Sequence, residues 1–77
     1  MADTGIGSRI FEARKRLDMR QRDLASAIDV DVMQVSRWER GAATPKMTSL
    51  KALARALDVS LDWLTGDEPA AATGTDG

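Results

Sequence analysis

Cysteine and histidine are both absent from this 77-residue chain. The first absence excludes disulfides and thiolate metal sites. The second removes the commonest general base, the usual physiological-pH switch and the imidazole ligand of zinc. Carboxylates are scattered, no nucleophile and base are spaced for catalysis, and no glycine-rich phosphate loop appears. An enzyme is therefore not expected, nor is a catalytic residue, a metal or a cofactor. There is no signal peptide and no apolar run long enough to span a membrane, so the expected location is the cytoplasm. No alternating strand pattern and no internal repeat are seen.

What the chain does contain is charge, unevenly placed. The formal net charge is -1, an odd value for a nucleic-acid ligand. Yet all 11 Lys and Arg lie between Ile6 and Gly66, against 8 Asp and Glu, which makes that segment +3. The surplus acid is terminal: Asp3, Asp67, Glu68 and Asp76. A chain of this length forms one small domain and buries only about 60% of its unfolded surface, so a partner subunit would add stability.

The organising stretch is Gln21–Arg40, QRDLASAIDVDVMQVSRWER. Leu24, Ala25 and Ile28 mark one apolar face, and Val35 and Trp38 a second. The intervening Asp29-Val30-Asp31 is long enough only for a sharp corner. Asp31 is a good N-cap, with Gln34 three residues on in an approximate capping box. Val30 and Val35 stand where a hydrophobic staple would fix the entry angle. Around this pair, a first helix is expected over about Ile6 to Leu17, with Ile6, Ile10, Ala13 and Leu17 buried and Arg9, Arg14, Lys15 and Arg16 projecting elsewhere. Asp18 ends it near a left-handed position, and Met19 dips into the core. Gly41 closes the third helix. After a loop over Ala42 to Thr44, Pro45 suits the first turn of a fourth helix. Leu50, Leu53, Ala54 and Leu57 give that helix its stripe. Ser60 caps a short fifth helix, Leu61 to about Thr65, ended by Gly66. Residues 1–5 are expected to form a flexible N-terminus. The stretch 67–77, DEPAAATGTDG, reads as a disordered tail.

The ordered set IGSRIFEARKRL, QRDLASAIDV, SRWERG, TP and LKALARALDVSLDWL resembles the Xre-type or lambdoid phage repressor and Cro family of helix-turn-helix DNA-binding domains. The likeness covers Ile6 to Gly66. It implies an all-α, compact five-helix, lambda-repressor-like fold with the helix-turn-helix formed by helices two and three (residues 21–40). It places Gln21 where the family contacts a phosphate and braces the recognition helix. It places Arg14 and Glu39 where some members form a partly buried ion pair. Three positions depart from the family pattern. Asp29 and Asp18 stand where glycine is preferred; Asp tolerates positive φ at ~1 kcal/mol relative to Gly. Arg20 replaces a Ser or Thr cap worth ~1 kcal/mol, partly offset by Asp23 on the helix dipole.

On this reading the third helix enters a major groove with its N-terminal residues facing base edges. Val32 and Met33 would touch thymine methyls, the alternative being burial in the core. Arg37 would contact guanine; its alternatives are a phosphate or a pair with Glu39 or Asp31. Gln34 either reads adenine or only closes the capping box, and Ser36 meets a base or phosphate or is a spacer. Phosphate contacts are assigned to Arg20, Gln21, Arg40, Thr44 and Lys46. Arg9, Lys15, Arg16 and Lys51 read as solvated charge, and Trp38 as a core anchor. Leu61 and Trp63 are assigned to a two-fold interface, Leu61 partly exposed. The expected function is a transcriptional regulator, a repressor binding palindromic double-stranded DNA as a homodimer. The rival is an antitoxin or other protein-interaction module holding a protein partner on the same fold.

Overall fold

Asp31 shows how local chemistry starts the helices of this chain. In the computed structural model, which describes residues 5–66, its carboxylate accepts the Met33 backbone N–H at 2.9 Å and α3 begins one residue later. The order is α1 (Ile6–Arg16), α2 (Gln21–Ala27), α3 (Val32–Arg40), α4 (Met47–Leu57) and α5 (Leu61–Thr65), with no strand among the described residues. The flexible segments expected for 1–5 and 67–77 lie outside the described residues, Gly5 excepted.

The helix ends follow the side chains at them. Ser60 Oγ accepts the Trp63 N–H at 3.0 Å and starts α5. Gly41 and Gly66 take left-handed φ of 79° and 87° and close α3 and α5. Asp18 and Asp29 take φ of 58° and 61°, so the carboxylate residues do turn the chain where glycine would be easier. Asp58, which no sequence signal singled out, does the same after α4 at φ 58°. At the start of α2 the missing Ser or Thr cap is half replaced. Asp23 accepts the Arg20 backbone N–H at 2.9 Å, but the Arg20 guanidinium has no acceptor with which to complete a box. These Arg20 bonds, the backbone one foremost, hold the Asp23 carboxyl below the usual carboxylate range.

The core is Ile10 and Ala13 of α1, Leu24 and Ala25 of α2, Val35 and Trp38 of α3, Leu50, Leu53, Ala54 and Leu57 of α4, and Trp63 and Leu64 of α5. Met19, Ile28 and Val30 pack against it from the connections. Trp38 is the anchor expected, although its Nε1 is buried without a partner among the described residues.

Four expectations are corrected. Leu17 is exposed, because α1 stops at Arg16 and the turn through Asp18 carries residue 17 off the buried stripe. Arg14 does not project but is buried between α1 and α3. Pro45 is buried just ahead of α4, whose N-cap is Lys46. The Asp31–Gln34 box is not formed, since Asp31 serves the Met33 N–H instead.

Candidate nucleic-acid interface

Gly7 and Arg14 explain why α3 stands where it does. A Cβ on Gly7 would lie 2.4 Å from the Trp38 carbonyl oxygen and 2.7 Å from that of Glu39, so only glycine lets the first turn of α1 rest on the end of α3. About two turns along, Arg14 Nε and Nη2 donate to Glu39 Oε2 and Oε1 at 2.7 and 3.0 Å. Arg14 Nη1 also donates to the Met19 carbonyl at 2.8 Å. Gln21 Nε2 donates to Glu39 Oε1 at 3.0 Å. The two charged side chains are 9% and 7% exposed. One carboxylate on α3 is thus tied to α1 and α2 together. The bidentate fork gives directionality as well as energy. The Arg14–Glu39 pair is therefore the structural link expected, and Gln21 is its third member.

The opposite side of α3 is open. Val32 is 39% and Met33 54% exposed, so neither tucks into the core. Arg37 is exposed and forms no ion pair with another described residue. Neither of the expected pairs is formed, since Glu39 is held by Arg14 and Asp31 caps the helix, which leaves a base or a phosphate as its partner. Ser36, half-buried, accepts a long hydrogen bond from Arg40 Nε at 3.3 Å. Successive residues turn by about 100° around a helix. Val32, Ser36, Arg40, Met33 and Arg37 therefore share one outward arc. Gln34 falls beyond it, half-buried on the flank towards Trp38.

Of the phosphate candidates, Arg40 lies on this arc and the others stand at the starts of the neighbouring helices. Arg20 and Gln21 start α2, Arg40 ends α3, and Thr44 and Lys46 precede α4; all but Gln21 are exposed. The α4 N-terminus carries no side-chain cap and no acid in its first turn, so its free N–H groups and Lys46 together suit an anion. Arg20 is less available, since its Nε is paired with Asp23 at 3.2 Å.

Sequence reasoning missed two exposed apolar residues, Met47 at the first position of α4 and Phe11 on α1. Met47 continues the Leu50 stripe and so looks like core. Phe11 sits about 100° off the Ile10 line, and that offset was the available signal. The two interface candidates divide. Leu61 is half-buried, whereas Trp63 is 5% exposed, with the guanidiniums of Arg9 and Arg16 at 5.1 and 5.4 Å from its ring centroid. Trp63 is therefore an internal contact of α5 with α1 rather than an interface side chain. Arg9 and Arg16 are likewise not simply solvated. No helix among the described residues is long and apolar enough to cross a membrane.

Comparison with known proteins points the same way. Residues 10–64 match the family model described as Helix-turn-helix. The chain is 45% identical over 64 residues to the HTH-type transcriptional regulator DicA of Escherichia coli, covering 82% of this chain and 47% of that protein. It is 39% identical over 59 residues to Repressor protein C2 of Salmonella phage P22, covering 77% of this chain and 27% of that protein. The crystal structure of the P22 c2 repressor with a synthetic operator aligns at TM-score 0.80 and 35% identity, over 86% of this chain and all of that one. The chain spans about half or less of the length of these two relatives.

Proposed function

The chain belongs to the helix-turn-helix family, and from that membership and the open edge of α3 we propose that it is a sequence-specific double-stranded DNA-binding transcriptional regulator. The observation that carries the reading is the outward arc of Val32, Met33 and Arg37, held clear of the bundle by an inner face that buries Val35 and Trp38 and pairs Glu39 with Arg14. α3 lies in the major groove. Val32 and Met33 meet thymine methyl groups, and Arg37 donates to a guanine edge. Ser36 reaches a base or phosphate, and Gln34, from the flank, reaches only the margin of the site. Arg40, Thr44, Lys46 and the second N–H of Gln21 hold phosphates, with Arg20 a weaker contributor. The family's relatives are regulators, not enzymes.

One recognition helix reads only a few base pairs. The protein acts as a homodimer at a palindromic operator, its two helices about 34 Å apart. Leu61 supplies part of the contact between subunits. Repression follows from steric competition with polymerase, in the cytoplasm where the DNA lies. Selection of bound sites from random duplexes, followed by footprinting, should return a two-fold-related sequence with affinity that falls steeply with salt. Binding indifferent to both sequence and ionic strength would overturn the reading. Sedimentation at micromolar concentration checks the dimer: a species that stays monomeric on palindromic DNA would remove that part alone.

A further inference from the structure

Phe11 is 48% exposed on an otherwise polar, basic flank. The Arg14 guanidinium lies 5.3 Å and the Lys15 ammonium 6.0 Å from its ring centroid, while about half of the residue still faces water. The ring forms one wall of an open cleft of about 420 Å³ lined also by Ser8, Gln21, Ser36, Glu39 and Arg40. With water occupying about 30 Å³ a molecule, this is room for a group far larger than a few solvent molecules. Two of the lining residues, Ser36 and Arg40, belong to the outward arc of α3, so the cleft is continuous with the recognition surface.

The chemistry of the walls selects an occupant. Arg40 brings a guanidinium tethered by its bond to Ser36. Gln21 spends one amide hydrogen on Glu39 and keeps the other. The Glu39 carboxylate is neutralised by the Arg14 fork, so the cleft does not repel an anion. Phe11 itself cannot hold a phosphate, since the face of an aromatic ring is negative. It can cover an apolar C–H surface. A phosphate beside a C–H-rich ring is one repeat of a nucleic-acid backbone.

We propose that this cleft seats one sugar-phosphate unit of the bound duplex, with Arg40 and Gln21 on the phosphate and the Phe11 ring against the deoxyribose. The inference rests on the function proposed above and extends it to α1. Phe11 is a positioning residue: it fixes where the backbone lies relative to α3 and reads no base.

The test uses the full chain, a duplex recovered by selection and a scrambled duplex of the same length. Phe11→Ala should weaken both by a similar factor, roughly three- to tenfold. The dependence of log affinity on log salt should stay unchanged, because no ionic contact is lost. Phe11→Leu should recover part of the affinity. With p-benzoylphenylalanine in place of Phe11, irradiation should crosslink the protein to DNA, which a merely structural role would not produce. Wild-type affinity in Phe11→Ala, or crosslinks only to a second protein chain, would overturn the assignment and leave the function intact. A wild-type chain that binds neither duplex would remove both.

Discussion

The two faces of α3 obey opposite rules. On the inner face, Val35 and Trp38 are buried, and Glu39 takes three hydrogen bonds from Arg14 and Gln21. On the outer face, Val32 and Met33 lie open beside Arg37, which has no ion-pair partner among the described residues. A helix of nine residues is too short to be stable alone, so the inner face must hold it. Exposed apolar side chains next to an unspent cation do nothing for that stability. The difference teaches which substitutions should unfold the domain and which should only disarm it.

The sharpest way to break the contrast is Arg14→Leu. It strands the Glu39 carboxylate in a nearly dry site, and unfolding free energy in urea should fall by about 3–5 kcal/mol. Adding Glu39→Leu should recover much of that, because a buried pair is worth less than its broken half is harmful. Next is Gly7→Ala. Alanine ordinarily favours a helix, but here its methyl meets two backbone carbonyls of α3. A loss of about 2 kcal/mol, or ~10 °C in melting temperature for a domain this size, is expected.

Changes on the outer face of α3 and at the exposed start of α4 should leave melting untouched. Arg37→Ala should weaken binding by ~1–3 kcal/mol and relax preference at one base pair. Lys46→Ala should weaken all sequences alike and lower the salt slope by about one. If those two variants behave identically in binding titrations, the division into readers and phosphate contacts is wrong. The smallest effect belongs to Asp23→Asn. Its carboxyl is depressed in the folded state, chiefly by the Arg20 backbone N–H. Such a group stabilises the fold above its unfolded pKa and loses that contribution as pH falls through the lower folded value. The variant should therefore melt slightly below wild type at pH 7, and the gap should close in acid.

Legibility in the sequence followed the range of the forces involved. Asp31, Gly41, Ser60 and Gly66 act on backbone groups a few residues away, so the ends they set were readable. The positive φ of Asp18 and Asp29 was readable for the same reason. Gln34 was misread because Asp31 could serve either of two neighbouring N–H groups, and helix geometry chose Met33. Phe11 and Met47 were missed since no local rule says what lies opposite them. Trp63 illustrates the limit: its position on α5 was clear, yet it is buried in a core shared with α1, some fifty residues earlier, whose Arg9 and Arg16 guanidiniums lie against its ring.

By itself the sequence determined five helices, where most of them start and stop, and which apolar residues make their stripes, because periodicity and capping are interactions within a turn or two. Only the tertiary structure decided that Gly7 must be glycine, that Arg14 lies inside while Leu17 lies outside, and that Phe11 stands beside the outward edge of α3. Those outcomes turn on which surface arrives from elsewhere in the chain, and steric fit and desolvation act only once it has arrived.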